Sequence, residues 1–246
     1  MNLRRRTLPL ILAAAAVALV GCATPIAGGA GSATGGTTPD PTSTPSTSSV
    51  TVSVDQVQVS WLTTTSMVVI LPAGSCPLHI GDIVAGTQKL TVTFAAKSGA
   101  SCAPTTAAQK YVLGVPAGVD TTKDLAVTIV TPEGKTDVTL SGLAGGEVIP
   151  EDRSIAPEPA ASWVGPHTLA VLTYGSSSCA PTGGAVADGV LTLKDPPADT
   201  ACTMDLAPRV TLIDAPDVAH DAKLTLAGST TSGGSPVTLQ PLDATK

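Results

Sequence analysis

An all-β fold is the expectation for this 246-residue chain, arranged as two tandem small antiparallel β-sandwich domains behind a disordered tether. Three observations lead there. Short runs of Val, Ile, Leu and Thr recur about every ten residues with Gly, Pro and Asp between them, which is how short strands are punctuated. Beyond the first 21 residues, no apolar stripe with a helical period reaches helical length. The chain also repeats itself about one hundred residues on, the mark of a duplicated unit.

Residues 1–21 open with Arg4, Arg5 and Arg6, followed by an uncharged run over residues 8–20 and a small-residue site. That order of charge and hydrophobicity belongs to an export signal. The run is too short to cross a hydrocarbon layer of about 30 Å, which takes about 20 apolar residues. Leu19, Val20, Gly21 and Cys22 resemble the lipobox of bacterial lipoproteins at every position. The resemblance implies cleavage before Cys22 and acylation of its thiol and new amino group. Each buried methylene adds about 0.8 kcal/mol of membrane affinity, so two or three chains anchor durably where one does not.

Residues 22–49 are almost entirely Gly, Ala, Ser, Thr and Pro after Cys22, too poor in large apolar groups to offset the entropy of ordering. A flexible coil of this length averages roughly 30 Å from end to end. It is read as a tether, in a composition that is sometimes glycosylated.

Two repeats follow, at residues 50–148 and 161–246, with a linker at 149–160. Residues 61–76 (WLTTTSMVVILPAGSC) align with 163–179 (WVGPHTLAVLTYGSSSC), and LTVTF at 90–94 with LTL at 191–193. Cys102 precedes Pro116, and Cys202 precedes Pro216, by the same interval, and DVTLSGL at 137–143 meets PVTLQPL at 236–242. Five landmarks in one order indicate duplication. The strand candidates of the first copy are 49–59, 67–71, 89–94, 110–115, 125–130 and 137–140. Those of the second are 168–174, 189–194, 209–214, 222–228 and 236–240, with Ala187-Asp188-Gly189 as a hairpin turn. Such a pattern favours a two-layer antiparallel sandwich. It is immunoglobulin-like only loosely, because each tryptophan precedes both cysteines of its copy. Residues 145–162, rich in Pro and charge, read as a connection along the outside, and Glu147, Glu151, Asp152 and Glu158 as solvated linker charge.

With Cys22 acylated, four cysteines remain, and they allow three pairings. A unit that folded before it was duplicated would have paired its own cysteines, which selects Cys76–Cys102 and Cys179–Cys202. A loop of about 25 residues gives roughly 3–4 kcal/mol of stabilisation by chain entropy, a large share for a domain with few aromatic side chains. Neither copy has the Cys-x-x-Cys spacing at a helix start that lowers a thiol pKa for redox work.

No motif commits the chain to a chemistry. His79, His167 and His220 occupy no equivalent places in the two copies, and no set of two to four converging metal ligands is evident. Asp214, Asp217 and Asp221 lack the spacing of a calcium loop. No Gly-x-Ser-x-Gly elbow is present, and Lys97-Ser98-Gly99 has no Ser-x-x-Lys to accompany it. No cofactor is expected. Trp61 and Trp163 head the first strong strand of each copy. Tryptophan's tendency to burial assigns them to the core, while the functional alternative makes them a twinned binding platform or a contact between domains. The polar turn at 175–181 (GSSSCAP), held by the expected bridge, is a place for a binding loop.

Loss of the three leader arginines takes the formal charge from −6 to −9, so neither nucleic acid nor an anionic lipid surface is an expected electrostatic partner. The repeat unit, with its Trp, aliphatic strand, Gly-Ser…Cys and second Cys, resembles lipoproteins of high-GC Gram-positive (actinobacterial) type. That resemblance implies location and architecture and carries no activity. The expectation is a non-catalytic, lipid-anchored protein on the outer face of the cell membrane, binding or scaffolding an envelope protein or a small ligand. The alternatives are an exported hydrolase or redox enzyme, which needs titratable groups gathered in a pocket, and a ligand- or metal-delivery lipoprotein, which needs a cleft between the copies or converging His and Asp.

Overall fold

A computed structural model of the chain describes residues 56–73, 76–96, 105–151, 157–227 and 236–243. The expected leader, the tether with Cys22, and Cys102 lie outside them. The described residues are all-β, without a helix, and residues Thr47–Lys246 fall in one unit by their contacts.

The first half holds β1 (Gln58–Thr63), β2 (Ser66–Leu71), β3 (Leu78–Gly86), β4 (Lys89–Ala96), β5 (Gln109–Gly114), β6 (Leu125–Thr131) and β7 (Gly134–Leu140). The second holds β8 (Ala160–Trp163), β9 (Thr168–Gly175), β10 (Gly184–Ala187), β11 (Val190–Leu193), β12 (Ala207–Asp214), β13 (Leu224–Ala227), β14 (Val237–Leu239) and β15 (Leu242–Asp243). Sheets β1-β2-β5 and β3-β4-β6-β7 of the first half have counterparts in β8-β9-β12, extended by β15, and β10-β11-β13-β14. The register repeats with the order. Trp61 faces Met67, which faces Leu113, just as Trp163 faces Leu169, which faces Ile213. Pro116 and Pro216 each stand two residues past the end of a corresponding strand, β5 and β12. In the second half the interval from Cys202 to Pro216 thus measures a loop plus a strand.

Alternation explains how the sheets stack. Successive strand residues point to opposite faces, and in β2 all six positions are buried. Met67, Val69 and Leu71 join Trp61, Val92, Phe94, Val127 and Ile129 in one apolar cluster between the two sheets of the first half. Val68 and Ile70 face the other way. With Leu62 they meet Ala170, Leu172 and Val210 of the second half in a separate cluster. Leu169, Val171 and Ile213 turn inward to Leu191, Leu224 and Leu226. The sheets containing β2 and β9 are therefore covered on both faces, and MVVIL reads as an unbroken apolar run for that reason.

Some boundaries and directions differ from the sequence expectation. The sheets are not wholly antiparallel, since β4 runs parallel to β6, β11 to β13, and β15 to β8. The chain leaves β4, passes through β5 in the other sheet and returns as β6, and a period-two pattern carries no record of that direction. The expected linker at 149–160 also begins too early. Ile149 is buried in the first-half cluster and exchanges hydrogen bonds with Val119 and Gly118 (2.9 and 2.8 Å), while β8 already starts at Ala160. Thr121 Oγ1 is bonded to both the amide and the carbonyl of Glu147, so Glu147 marks an anchored turn. A Cβ on Gly142 would lie 2.2 Å from the Thr122 carbonyl oxygen, which admits only glycine beside that turn. The hairpin expected at Asp188-Gly189 is present, with φ of 51° and 74° and Ala187 opposite Val190, a type I′ arrangement.

Leu172 is 2% exposed, in the layer between the two halves. Leu172→Ala is expected to lower the unfolding free energy by about 2–5 kcal/mol, with one denaturation transition retained. A loss below about 1 kcal/mol, or two separate transitions, would show that this layer does not join the halves.

Candidate functional site

The residues available for recognition gather where the second half carries its cysteines. Cys179 and Cys202 form a disulfide with a Cα–Cα distance of 5.5 Å. It ties the loop after β9 to the loop before β12. Around it lies a hydroxyl and carboxylate network. Ser176 Oγ is 2.8 Å from Thr203 Oγ1, the Thr203 amide donates to Ser178 Oγ (2.9 Å), and the Ser177 amide donates to Asp205 Oδ1 (3.0 Å). Thr203 Oγ1 donates to the same carboxylate oxygen. The Thr203 hydroxyl, followed by Ser177, holds the Asp205 carboxyl below the ordinary aspartate range. Beneath the loop, Arg209 donates from Nη1 to the Cys179 carbonyl (3.0 Å) and from Nη2 to the Tyr174 carbonyl (3.2 Å). A Cβ on Gly175 would sit 2.7 Å from that guanidinium, so the glycine leaves it room.

On this pinned loop pair two large apolar side chains face outward, Met204 at 105% and Leu206 at 65% relative exposure. Neither was singled out in the sequence, where isolated apolar residues in a Pro- and Asp-rich loop give no periodic signal. The turn at 175–181 that the sequence marked as a place for binding is their neighbour across the bridge.

The other candidates fall elsewhere. Cys76 is disulfide-bonded, and its expected partner Cys102 lies outside the described residues. Trp61 and Trp163 are 1% and 0% exposed. Their indole N–H groups donate to the main-chain carbonyls of Ser141 (2.8 Å) and His220 (3.1 Å). With both rings buried in the apolar clusters of their halves, the twinned binding platform is corrected. No ring face is open to a ligand.

His79 and His167 are exposed and stand apart from any metal set. Among the described residues no three His, Cys, Asp or Glu side chains are placed to hold a metal ion. His220 stacks on Trp163, with ring centroids 4.3 Å apart. A cleft of about 560 Å³ gathers His220, Asp221 and Asp243, the kind of grouping the enzyme alternative calls for. Yet Nδ1 of His220 faces Asp243 (3.5 Å) and Nε2 faces the Pro166 carbonyl (3.0 Å). Both ring nitrogens are engaged with the protein, and the imidazole acts as a brace across the entry to β15. Asp214 and Asp217 line a smaller cleft of about 190 Å³ with Ala185 and Val186, apart from Asp221. The space between the halves, where a delivery protein would need its cleft, is filled by the Leu62, Ile70 and Leu172 layer.

No protein-family model matches the chain, and neither a curated protein nor a solved structure matches it. Among the described residues, no helix is long and apolar enough to cross a membrane.

Replacing both Cys179 and Cys202 by serine is expected to cost about 3 kcal/mol in denaturant unfolding, the chain-entropy value for a loop of this size. An unchanged midpoint would deny the bridge a stabilising role. The depressed Asp205 value contributes stability that is complete above about pH 4, the ordinary aspartate value, and is lost as pH falls through the lower folded value. Asp205→Asn should therefore flatten the acid limb of the stability curve below about pH 4. An identical acid limb would contradict the network.

Proposed function

We propose that the chain is a non-catalytic lipoprotein, anchored by an acylated Cys22 to the extracytoplasmic face of the cell membrane, that binds an envelope protein or a small ligand. The body that follows the tether is read as two tandem small β-sandwich modules, immunoglobulin-like only in the loose sense of two packed sheets. The repeated strand order supports that reading.

The observation that carries the address is a formed disulfide, Cys179–Cys202, in a chain that opens with the charge, apolar run and Leu19-to-Cys22 motif of an exported lipoprotein. Disulfides persist in oxidising compartments, and the opening motif supplies the route to one. The tether sets the modules off from the lipid, and the loop pair around the bridge is the face proposed for binding. Rigid loops that present a few apolar side chains suit recognition, because little ordering entropy remains to be lost on association. Met204 and Leu206 would supply the apolar contact, and the Ser176, Ser177 and Thr203 hydroxyls a polar rim.

Metabolic labelling with an alkyne-bearing palmitate is expected to mark the wild-type chain and to move it into the detergent phase of a cloud-point partition. Cys22→Ser should abolish both. A labelled Cys22→Ser chain, or a wild-type chain that stays in the aqueous phase with an unmodified Cys22, would overturn the address.

A further inference from the structure

The two halves fill the same place in opposite ways. By register, Leu71, Gln109 and Tyr111 of the first half correspond to Thr173, Arg209 and Thr211 of the second. All lie toward the cysteine end of the inner sheet, and Leu71, Tyr111, Thr173 and Thr211 share the faces of Val69 and Val171, toward the interior of each half.

In the first half the space is plugged by side chains. Phe94 and Tyr111 meet with ring centroids 4.7 Å apart, and Leu71 packs beside them in the same cluster. The polar end of the plug is closed as well. Tyr111 Oη donates to the Leu78 carbonyl (2.7 Å) and lies 2.8 Å from Gln109 Oε1. Gln109 Nε2 donates to the Cys76 carbonyl (3.2 Å).

In the second half Arg209 repeats the clamp on the cysteine carbonyl, at Cys179, but the aromatic filling is gone. Asp195, at the same distance past the hairpin turn as Phe94, is exposed. Thr173 and Thr211 replace the leucine and the tyrosine. They are 0% and 1% exposed, and their hydroxyls, like Arg209 Nε, are buried without a hydrogen-bond partner in the protein. Thr173 stands directly opposite Arg209, and Thr211 is two residues further along the same strand. Cross-strand and diagonal neighbours on one face place their Cβ atoms about 5–8 Å apart, a span that one or two water molecules bridge. Three orphaned polar groups on one interior face are not expected by accident, because buried polar groups in folded proteins are almost always paired.

We propose that the cysteine end of the second half is an internal hydrogen-bonding site whose ligand is water, held between the Thr173 and Thr211 hydroxyls and the Arg209 Nε–H. The site is the counterpart of the Tyr111 hydroxyl in the first half. A hydroxyl can donate as well as accept, whereas the guanidinium only donates. The bound molecule must therefore accept from Arg209 and can donate to either threonine, which water does and an apolar guest cannot. Both threonines are buried, as are their hydroxyls and the Arg209 Nε, and this favours a guest of water's size.

A crystal structure of the mature chain at a resolution that shows ordered solvent tests this. At least one water within about 3.2 Å of a threonine hydroxyl and of Arg209 Nε is expected. In Thr173→Val with Thr211→Val, which keeps shape and removes both hydroxyls, that water should be lost while the Arg209 bonds to the Cys179 and Tyr174 carbonyls remain. If the wild-type hydroxyls are found bonded to main-chain carbonyls or to each other, with apolar atoms filling the space, the proposal is wrong. Retention of the same water in the double variant would also overturn it. The wild-type crystal decides the matter even if the variant fails to fold.

Discussion

Burial of the two inner sheets on both faces is the constraint from which the rest of the structure follows. A strand covered on one side can alternate apolar and polar residues, but β2 and much of β9 cannot. Their odd positions fill the interior of their own half, and their even positions fill the layer shared by the two halves. A chain with five aromatic residues gains much of its apolar burial from Val, Leu, Ile and Ala in these strands. The thermodynamic consequence is that neither half is complete alone. Separation would expose Leu62, Val68, Ile70, Leu172 and Val210 together, an apolar patch that isolated soluble surfaces rarely carry. Leu242, from the far end of the chain, also packs against the first-half cluster.

With the sheets fixed by burial, the loops at the cysteine end can be polar and long, because covalent and hydrogen-bonded pins hold them. In the second half a disulfide, an arginine fork and a Ser/Thr/Asp network hold one small region. The side chain at position 109 or 209 reaches back to the carbonyl of the first cysteine in each half, although one is a neutral amide and the other a cation. The two halves differ here in what fills the end. The first half spends this end on an aromatic plug, and the second leaves it polar, with exposed Met204 and Leu206 alongside.

Much of the architecture was legible because repetition carries information that a single copy lacks. The aligned tryptophans, cysteines and prolines located corresponding strands, and Asp188-Gly189 marked its own turn through the backbone conformation it tolerates. The parallel pairs were hidden, since alternation along β4 and β6 is the same whichever way the partner runs. The anchoring of residues 145–149 was also hidden. Its polar composition suggests a linker, and only the Thr121 side chain and the Val119 backbone reveal it as structure. At the candidate site, the Cys179–Cys202 bridge was readable from the repeated landmarks. The Arg209 clamp and the Nε2 contact of His220 were not, because both act on main-chain carbonyls, which leave no trace in side-chain identity. Tryptophan burial followed from ordinary physical tendency, and the ring positions left nothing for a ligand.

Native-state hydrogen exchange at the central amides of β2 and β9 is the most direct measurement of whether the shared layer makes one cooperative body. If it does, Val69 and Val171 should exchange only through an opening whose free energy equals that of global unfolding, and equally in the two halves. Exchange of the β9 and β12 amides through an opening several kcal/mol cheaper than that of β2 and β5 would mean that the halves unfold independently. Two-sided burial would then not be what holds the molecule together.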